Sequence, residues 1–238
     1  MKNEGFTLVE LLTVIVILSA VSLIGIFTID GVIKRGSEKA YQTQINEMKS
    51  ATENFVKTDG LPTWCNLNNK LYVDYHDNEW CQANFNDKYL FEMLILESFQ
   101  AGLSWECVLN KRESFRKAYD NFSIDKVCNY SDDKIIELIN NKDIIRNKLK
   151  INASINNAKI FKNIVLEFGS FYNYLKSFTN DEIFYETGLT SSSLSDTISN
   201  DLKRRGMKFV GTTIIYSYLQ AIGIIYSHEK CCFMYKEK

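Results

Sequence analysis

Only two histidines occur in the 238 residues, and each has a cysteine at an interval that suits a metal ion. Cys65 precedes His76 in Trp64-Cys65…Tyr75-His76-Asp77-Asn78-Glu79-Trp80, and His228 stands about one helical turn before Cys232. Two such pairs, far apart in sequence, can supply one four-coordinate zinc joining the ends of a domain. Cys231 offers itself as an alternative donor to Cys232. Two ordinary histidines with reduced thiols is the bland reading of the same residues. Glu97 is a second chemical feature, set in the apolar run Leu94-Ile95-Leu96-Glu97-Ser98-Phe99. An unpaired carboxylate on the buried side of such a helix is costly, whereas on a wet face it is an ordinary surface glutamate. A third is the basic cluster Lys203, Arg204, Arg205 and Lys208 ahead of a helix start. It suits phosphate binding, or else a solvated helix end favoured by the helix dipole.

Composition narrows what must position these residues. The formal net charge is −1, so no global basic field advertises nucleic acid and any such surface is local. Hydrophobic residues make up 45% of the chain, enough for a sizeable core, and a single proline with long Leu/Ile runs favours helices over a β-sandwich. Six cysteines without a short, regular framework argue against a disulfide scaffold. Cys81, Cys107, Cys128 and Cys231 read most simply as small buried or incidental residues.

From about residue 63 onward the pattern predicts helices joined by short polar turns. Asp87 is expected to cap a helix through Leu90, Phe91, Leu94, Ile95 and Leu96. Ser104 is expected to cap one carrying Trp105, Val108, Leu109, Phe115 and Tyr119. Ser131 precedes a short helix with Ile135, Ile136 and Leu138, and a longer one runs from about Lys150 to Phe168 and stops at Gly169. Thr190 to Ser195 opens a helix ending at Arg205-Gly206, and a nearly all-apolar helix from Thr212 to Tyr226 belongs at the centre of the core. No alternating strand run of useful length occurs, so the expected class is all-α.

The first sixty residues read differently. From Phe6 to Ile29 runs a segment of 24 residues with one charge, Glu10. At roughly 1.5 Å per helical residue it is long enough to cross a bilayer. Gly5 before Phe6, with a lone glutamate inside the apolar run, resembles a prepilin-type signal. That resemblance implies cleavage after Gly5, methylation of the new terminal Phe6, and a helix that anchors or assembles pilin-like subunits. It divides the chain into a leader (1–5), a transmembrane or pilin-like helix (6–29), a helical linker (30–62) and a second domain (63–238). The thin apolar face of the linker fits either an exposed pilin helix or a solvated connector.

Several multi-residue blocks of that second domain occur in a telling order: Tyr75-His76-Asp77-Asn78-Glu79-Trp80, Leu96-Glu97, Gln100-Ala101-Gly102-Leu103-Ser104-Trp105, Lys111-Arg112-Glu113, Ile144-Ile145-Arg146, and Lys203 through Thr213. Together they resemble the DNA-3-methyladenine glycosylase I family over residues 63–238. The resemblance implies a helical helix-hairpin-helix glycosylase domain with a structural zinc on Cys65, His76, His228 and Cys232. It implies that Glu97 grips a cationic damaged base and that Tyr75 and Trp105 sandwich the flipped ring, with Tyr72, Trp80 and Ser217 close by. Arg146 and Lys148, in the hairpin Asn141 to Lys150, would join Lys203, Arg204, Arg205 and Lys208 in meeting DNA. Asp143 and Leu149 stand where that hairpin is expected to carry glycines.

The implied reaction is hydrolysis of the N-glycosidic bond of 3-methyladenine in alkylated double-stranded DNA, leaving an abasic site, without a lysine nucleophile or small-molecule cofactor. The competing reading is a pilin-like or pseudopilin membrane subunit that displays an inactive domain among pilus-type partners. A repair enzyme needs the chromosome, so the first reading requires a membrane-anchored chain whose glycosylase domain faces the cytoplasm, or a fusion of neighbouring reading frames.

Overall fold

Helix punctuation in this chain comes mainly from asparagine and serine. The computed structural model describes residues 65–237, which lie within the compact unit Gly60–Lys238. The leader at Gly5 and Phe6, the apolar segment 6–29 and the linker 30–62 fall outside the described residues. Asn69 caps α1 (Lys70–Asn78) by accepting from the Leu71 amide. Asn86 caps α2 (Asp87–Gln100), so Asp87 is the first helical residue rather than the cap expected of it. Asp87 turns its carboxylate to the Phe171 amide instead, at 2.9 Å. Ser104 caps α3 (Trp105–Leu109) as the sequence predicts. The single helix expected there breaks at Lys111, where ψ is 0°, and resumes as α4 (Arg112–Ala118).

After the short α5 (Ile124–Val127), Ser131 caps α6 (Asp132–Asn140). The long α7 (Lys148–Phe168) starts at the Asn147 cap and stops at Gly169, whose φ of 83° needs no Cβ. α8 (Phe171–Thr179) is an element the sequence reading passed over, although Ser170 caps it and Phe171, Tyr174, Leu175 and Phe178 follow a helical spacing. α9 (Ser193–Arg204) opens on a Ser192/Ser195 capping box. The last helix, α10, is shorter than expected: Thr212–Ala221 instead of a run to Tyr226. Two-residue strands β1 (Phe184–Tyr185) and β2 (Ile225–Tyr226) pair in parallel, Phe184 with Ile225 and Tyr185 with Tyr226. The described residues are thus mostly helical, with one minimal strand pair.

α2 is the axis of the core. Every residue from Leu90 to Phe99 is buried, as expected of a helix that is apolar around its whole circumference. It packs against α7, α8 and α10, while α9 packs on α10. Aromatic rings fill the junction with α7: Phe91 meets Phe161 at 5.2 Å, and Phe161 stacks on Phe171 at 4.0 Å.

α10 ends early because Gly223 must turn. Its φ is 77°, and a Cβ there would lie 2.5 Å from the Ala83 nitrogen and the Gln82 carbonyl carbon. This close approach lets the Cys81 amide reach the Gln220 carbonyl at 3.0 Å, joining the segment between α1 and α2 to the end of α10. Gly223→Ala is therefore expected to cost at least about 2 kcal/mol through left-handed strain and backbone collision. The thermal midpoint should fall by roughly 4–8 °C in a domain of this size. A calorimetric midpoint equal to wild type would show that the 82–84 backbone yields freely.

Candidate active site and metal cluster

Because α2 has no wet face, each polar side chain on its buried run needs an internal partner. Ser98 finds one in the Leu94 carbonyl at 2.8 Å. Glu92 finds Arg112 at 2.6 Å and Arg116 at 2.8 Å. Glu97, only 3% exposed, differs: its Oε2 is buried and has no hydrogen-bond partner. It borders a cleft of about 350 Å³ lined by α1, α2, α3 and α10 and by residues 188–190. The surface-glutamate reading of Glu97 is excluded.

The same cleft collects Tyr72, Tyr75, Trp80, Trp105 and Ser217. Tyr72 and Tyr75 come from α1, Trp80 from just beyond it, Trp105 from the start of α3 and Ser217 from α10. Arg112 braces this wall by bonding Glu79, at the end of α1, as well as Glu92 on α2. The expected sandwich is not the observed arrangement. The Tyr75 and Trp105 rings touch one another, with centroids 5.3 Å apart and planes tilted by 48°. A purine stacked between two rings needs about 7 Å, two contacts of about 3.5 Å each. The two aromatics therefore form one continuous wall rather than two jaws.

Sequence reasoning overlooked other lining groups. Thr213, Tyr216 and Gln220 join Ser217 along one face of α10, a three-to-four-residue spacing readable in the sequence but indistinguishable there from core packing. Gln100, quoted within a motif but given no role, has a buried Oε1 without a partner, as does Trp105 Nε1. Gly188 and Leu189 carry no sequence signal, and Thr190 reads only as part of the polar stretch that opens the next helix. They reach the cleft because the β1–β2 pairing fixes the chain just before them, with the Glu186 amide 3.1 Å from the Tyr226 carbonyl. The cleft thus offers an aromatic wall, an acid and several unsatisfied polar atoms, a set suited to a flat, polar, positively charged guest.

Behind the cleft lies a cluster of metal-ligating side chains. His76, His228 and Cys232 are buried, with one donor atom of each within 4.8 Å of the others. Cys232 Sγ is 3.4 Å from His76 Nε2 and 3.3 Å from His228 Nδ1. His76 Nδ1 bonds Asp77 Oδ1 at 2.7 Å, which leaves Nε2 to face the cluster, the orientation a carboxylate imposes on a ligating imidazole. Burial, with His76 nearby, pushes His228 down to about 4 and keeps its ring neutral at pH 7. Cys231 is exposed, so the fold selects Cys232 between the two neighbours. Cys65 is buried but stands outside the group of three, and the residue after it, Asn66, bonds Glu106 on α3 at 2.8 Å. Trp80 connects cluster and cleft, its ring 4.7 Å from that of His228.

The basic residues separate into free and committed ones. Arg146 and Lys148 are exposed around the loop from α6 to α7. That loop turns without glycine, because Asn141 Oδ1 accepts the Asp143 amide at 2.9 Å and Asp143 keeps a negative φ. Leu149 sits within α7, its amide accepted by Asn147 at 3.0 Å. Lys203 and Lys208 are exposed. Arg204 pairs with Asp201, and Arg205 bonds Asp201 at 2.7 Å and Glu167 at 2.6 Å. The guanidinium of Arg205 is consumed internally, which removes it from the expected DNA contacts.

Burial pushes the Glu97 carboxyl well above its ordinary value of 4.5. The folded state then holds a proton that the unfolded chain releases, so this group's contribution is complete below that value and is lost as pH rises. Glu97→Gln is expected to match the wild-type thermal midpoint at about pH 4 and to exceed it increasingly toward pH 8. Parallel midpoint curves in scanning fluorimetry would show a charged, compensated carboxylate instead.

Comparison with known proteins agrees with this geometry. Residues 64–235 match the methyladenine glycosylase family, and residues 1–26 match the prokaryotic N-terminal methylation motif. DNA-3-methyladenine glycosylase 1 of Escherichia coli (strain K12) is 42% identical over 171 residues, covering 69% of this chain and 91% of that protein. A crystal structure of 3-methyladenine DNA glycosylase I superposes with a TM-score of 0.70 at 37% identity, covering 73% of this chain and 98% of the other. The enzyme from Staphylococcus aureus, solved for the structural basis of 3-methyladenine recognition, gives 0.68 at 31% identity, with 71% and 94% covered. On these matches of sequence and of helical frame, the chain belongs to the methyladenine glycosylase family.

Proposed function

We propose that this chain is a base-excision repair enzyme that hydrolyses the N-glycosidic bond of 3-methyladenine in alkylated double-stranded DNA. One observation carries the reading: an acid on the buried run of α2, unpaired, faces a cleft walled by aromatic rings. A 3-methylated adenine in DNA is cationic, and its bond to C1′ is already weak. Extruded into the cleft, it would lie along the Tyr75–Trp105 wall, where cation–π attraction contributes about 1–2 kcal/mol. Glu97, ionised by the arriving cation, would accept hydrogen bonds from the amino edge. Normal adenine brings no charge to offset the burial of that carboxylate, and this is the discrimination.

In the reaction the C1′–N bond breaks with its electrons passing to the base. Water supplies the oxygen to C1′ and loses a proton to solvent, leaving an abasic site and neutral 3-methyladenine. The reading is of a monofunctional hydrolase without strand cleavage; among the described residues, those lining the cleft include no lysine. Arg146, Lys148, Lys203, Arg204 and Lys208 are the proposed phosphate contacts, and no small-molecule cofactor is invoked.

We further propose that His76, His228 and Cys232 hold a structural zinc with Cys65 completing the set once the metal draws it in. The ion would close the ends of residues 63–238 on one another and stiffen the Trp80 side of the cleft. The N-terminal methylation motif supports a membrane anchor at residues 6–29, with processing at Gly5 and Phe6 and the glycosylase domain in the cytoplasm. The same motif favours a second reading, a pseudopilin-type subunit displaying an inactive domain to pilus partners.

Glu97→Gln is expected to lower release of 3-methyladenine from alkylated DNA roughly 10- to 100-fold, the worth of one hydrogen bond to a charged group. Release at the wild-type rate would refute the role of Glu97, and a wild-type chain that frees no base would favour the displayed subunit. His228→Ala should lose bound zinc and melt at a lower temperature; equal zinc by elemental analysis of the two purified chains would remove the clasp.

A further inference from the structure

The loop between α9 and α10 carries an aromatic side chain that the core does not use. Phe209 has a φ of 55°, a left-handed backbone that a bulky residue adopts only at a cost, and its ring is 36% exposed. The surroundings hold it there. Asn157 on α7 clamps the preceding residue twice, accepting the Lys208 amide and donating to the Lys208 carbonyl, each at 2.8 Å. Asn156 donates to the Gly206 carbonyl at 2.9 Å, and Ser199 donates to the Val210 carbonyl at 2.7 Å. Met207 and Val210 point inward, at 2% and 1% exposure, while Phe209 is turned out between them.

The ring has a defined neighbourhood. Lys150 Nζ lies 5.9 Å from its centroid, and the same ammonium donates to the Phe99 and Ala101 carbonyls at 2.8 and 2.6 Å. Phe209 therefore stands beside the turn that ends α2, next to Gln100 of the cleft wall. Lys208, adjacent in sequence, is exposed.

Strained backbone that is clamped in place from several sides is characteristic of contact sites, and here it gives the core nothing. We propose that Phe209 is a DNA-contacting residue that packs its open face against a base step beside the extruded nucleotide, with Lys208 meeting the adjoining phosphate. Apolar side chains at a base step hold duplex DNA in a distorted form, and a neighbouring cation matches the strand that carries it. The inference rests on the glycosylase reading and assigns a binding role, away from the reacting atoms.

Phe209→Gly tests it without a folding ambiguity, because glycine accepts this φ at little cost while the ring is lost. In the full chain, the KM for alkylated duplex should rise and the affinity for duplex containing an abasic site should fall about tenfold, the scale of one lost stacking contact. Binding of free 3-methyladenine, followed by tryptophan fluorescence, should not change, and the thermal midpoint should hold or rise. Phe209→Leu should recover most of the duplex affinity. Unchanged duplex affinity in Phe209→Gly would overturn the proposal, as would a parallel loss of free-base binding, which would put the ring in service of the cleft. A wild-type chain that binds duplex but frees no base would count against the glycosylase reading alone, since the duplex comparison still decides the role of Phe209.

Discussion

An acid buried without a partner is the constraint around which this domain is built. Placing an ionised carboxylate in an apolar interior is prohibitively costly, so a protein either neutralises it or supplies a counter-charge. α2 does both, five residues apart. Glu92 is neutralised by Arg112 and Arg116, and those arginines tie α4 and the end of α1 to the core helix. Glu97 receives no such partner, and burial pushes its carboxyl well above the ordinary range. The contrast is physical: the first glutamate ties the frame together through two arginines, and the second is buried without a partner.

Everything that shapes the cleft follows from holding that acid still. The aromatic wall is set by α1 and α3, and α1 is pinned from behind by Arg112 and from the side by the histidine–cysteine cluster. Trp80 touches both cluster and cleft, so metal binding and base binding would share one rigid support. The far side comes from α10, whose position depends on Gly223 passing within contact of the 82–84 backbone. Tyr75 and Trp105 touch and so form a single wall, and α10 with residues 188–190 lines the rest of the cleft.

Much of the architecture was legible before any coordinates. Ser104 and Ser131 cap helices through their hydroxyls and Gly169 ends one through its left-handed backbone, each where the sequence places it. The misses have causes. Asp87 reads as a cap, but Asn86 takes that place and Asp87 serves a distant amide on α8. α10 reads as continuous to Tyr226, because periodicity cannot register that the backbone at Gly223 meets another strand of chain. Arg205 reads as one of four similar cations; Asp201 lies four residues before it on α9, a local pairing, but Glu167 comes into reach only once α7 and α9 are folded together.

The sequence by itself determined which side chains were chemically unusual: two histidines paired with cysteines, a glutamate inside an apolar run, and motif blocks in a family's order. Residue type and spacing along one helix are local properties, and local properties can be read from a string. Tertiary structure decided the rest: that Glu97 has no partner whereas Glu92 has two, that Cys232 rather than Cys231 faces the histidines, and that Tyr75 and Trp105 touch. Each of these depends on which groups from distant segments enter the same few ångströms. Desolvation and pairing are properties of that shared volume, and no single segment contains them.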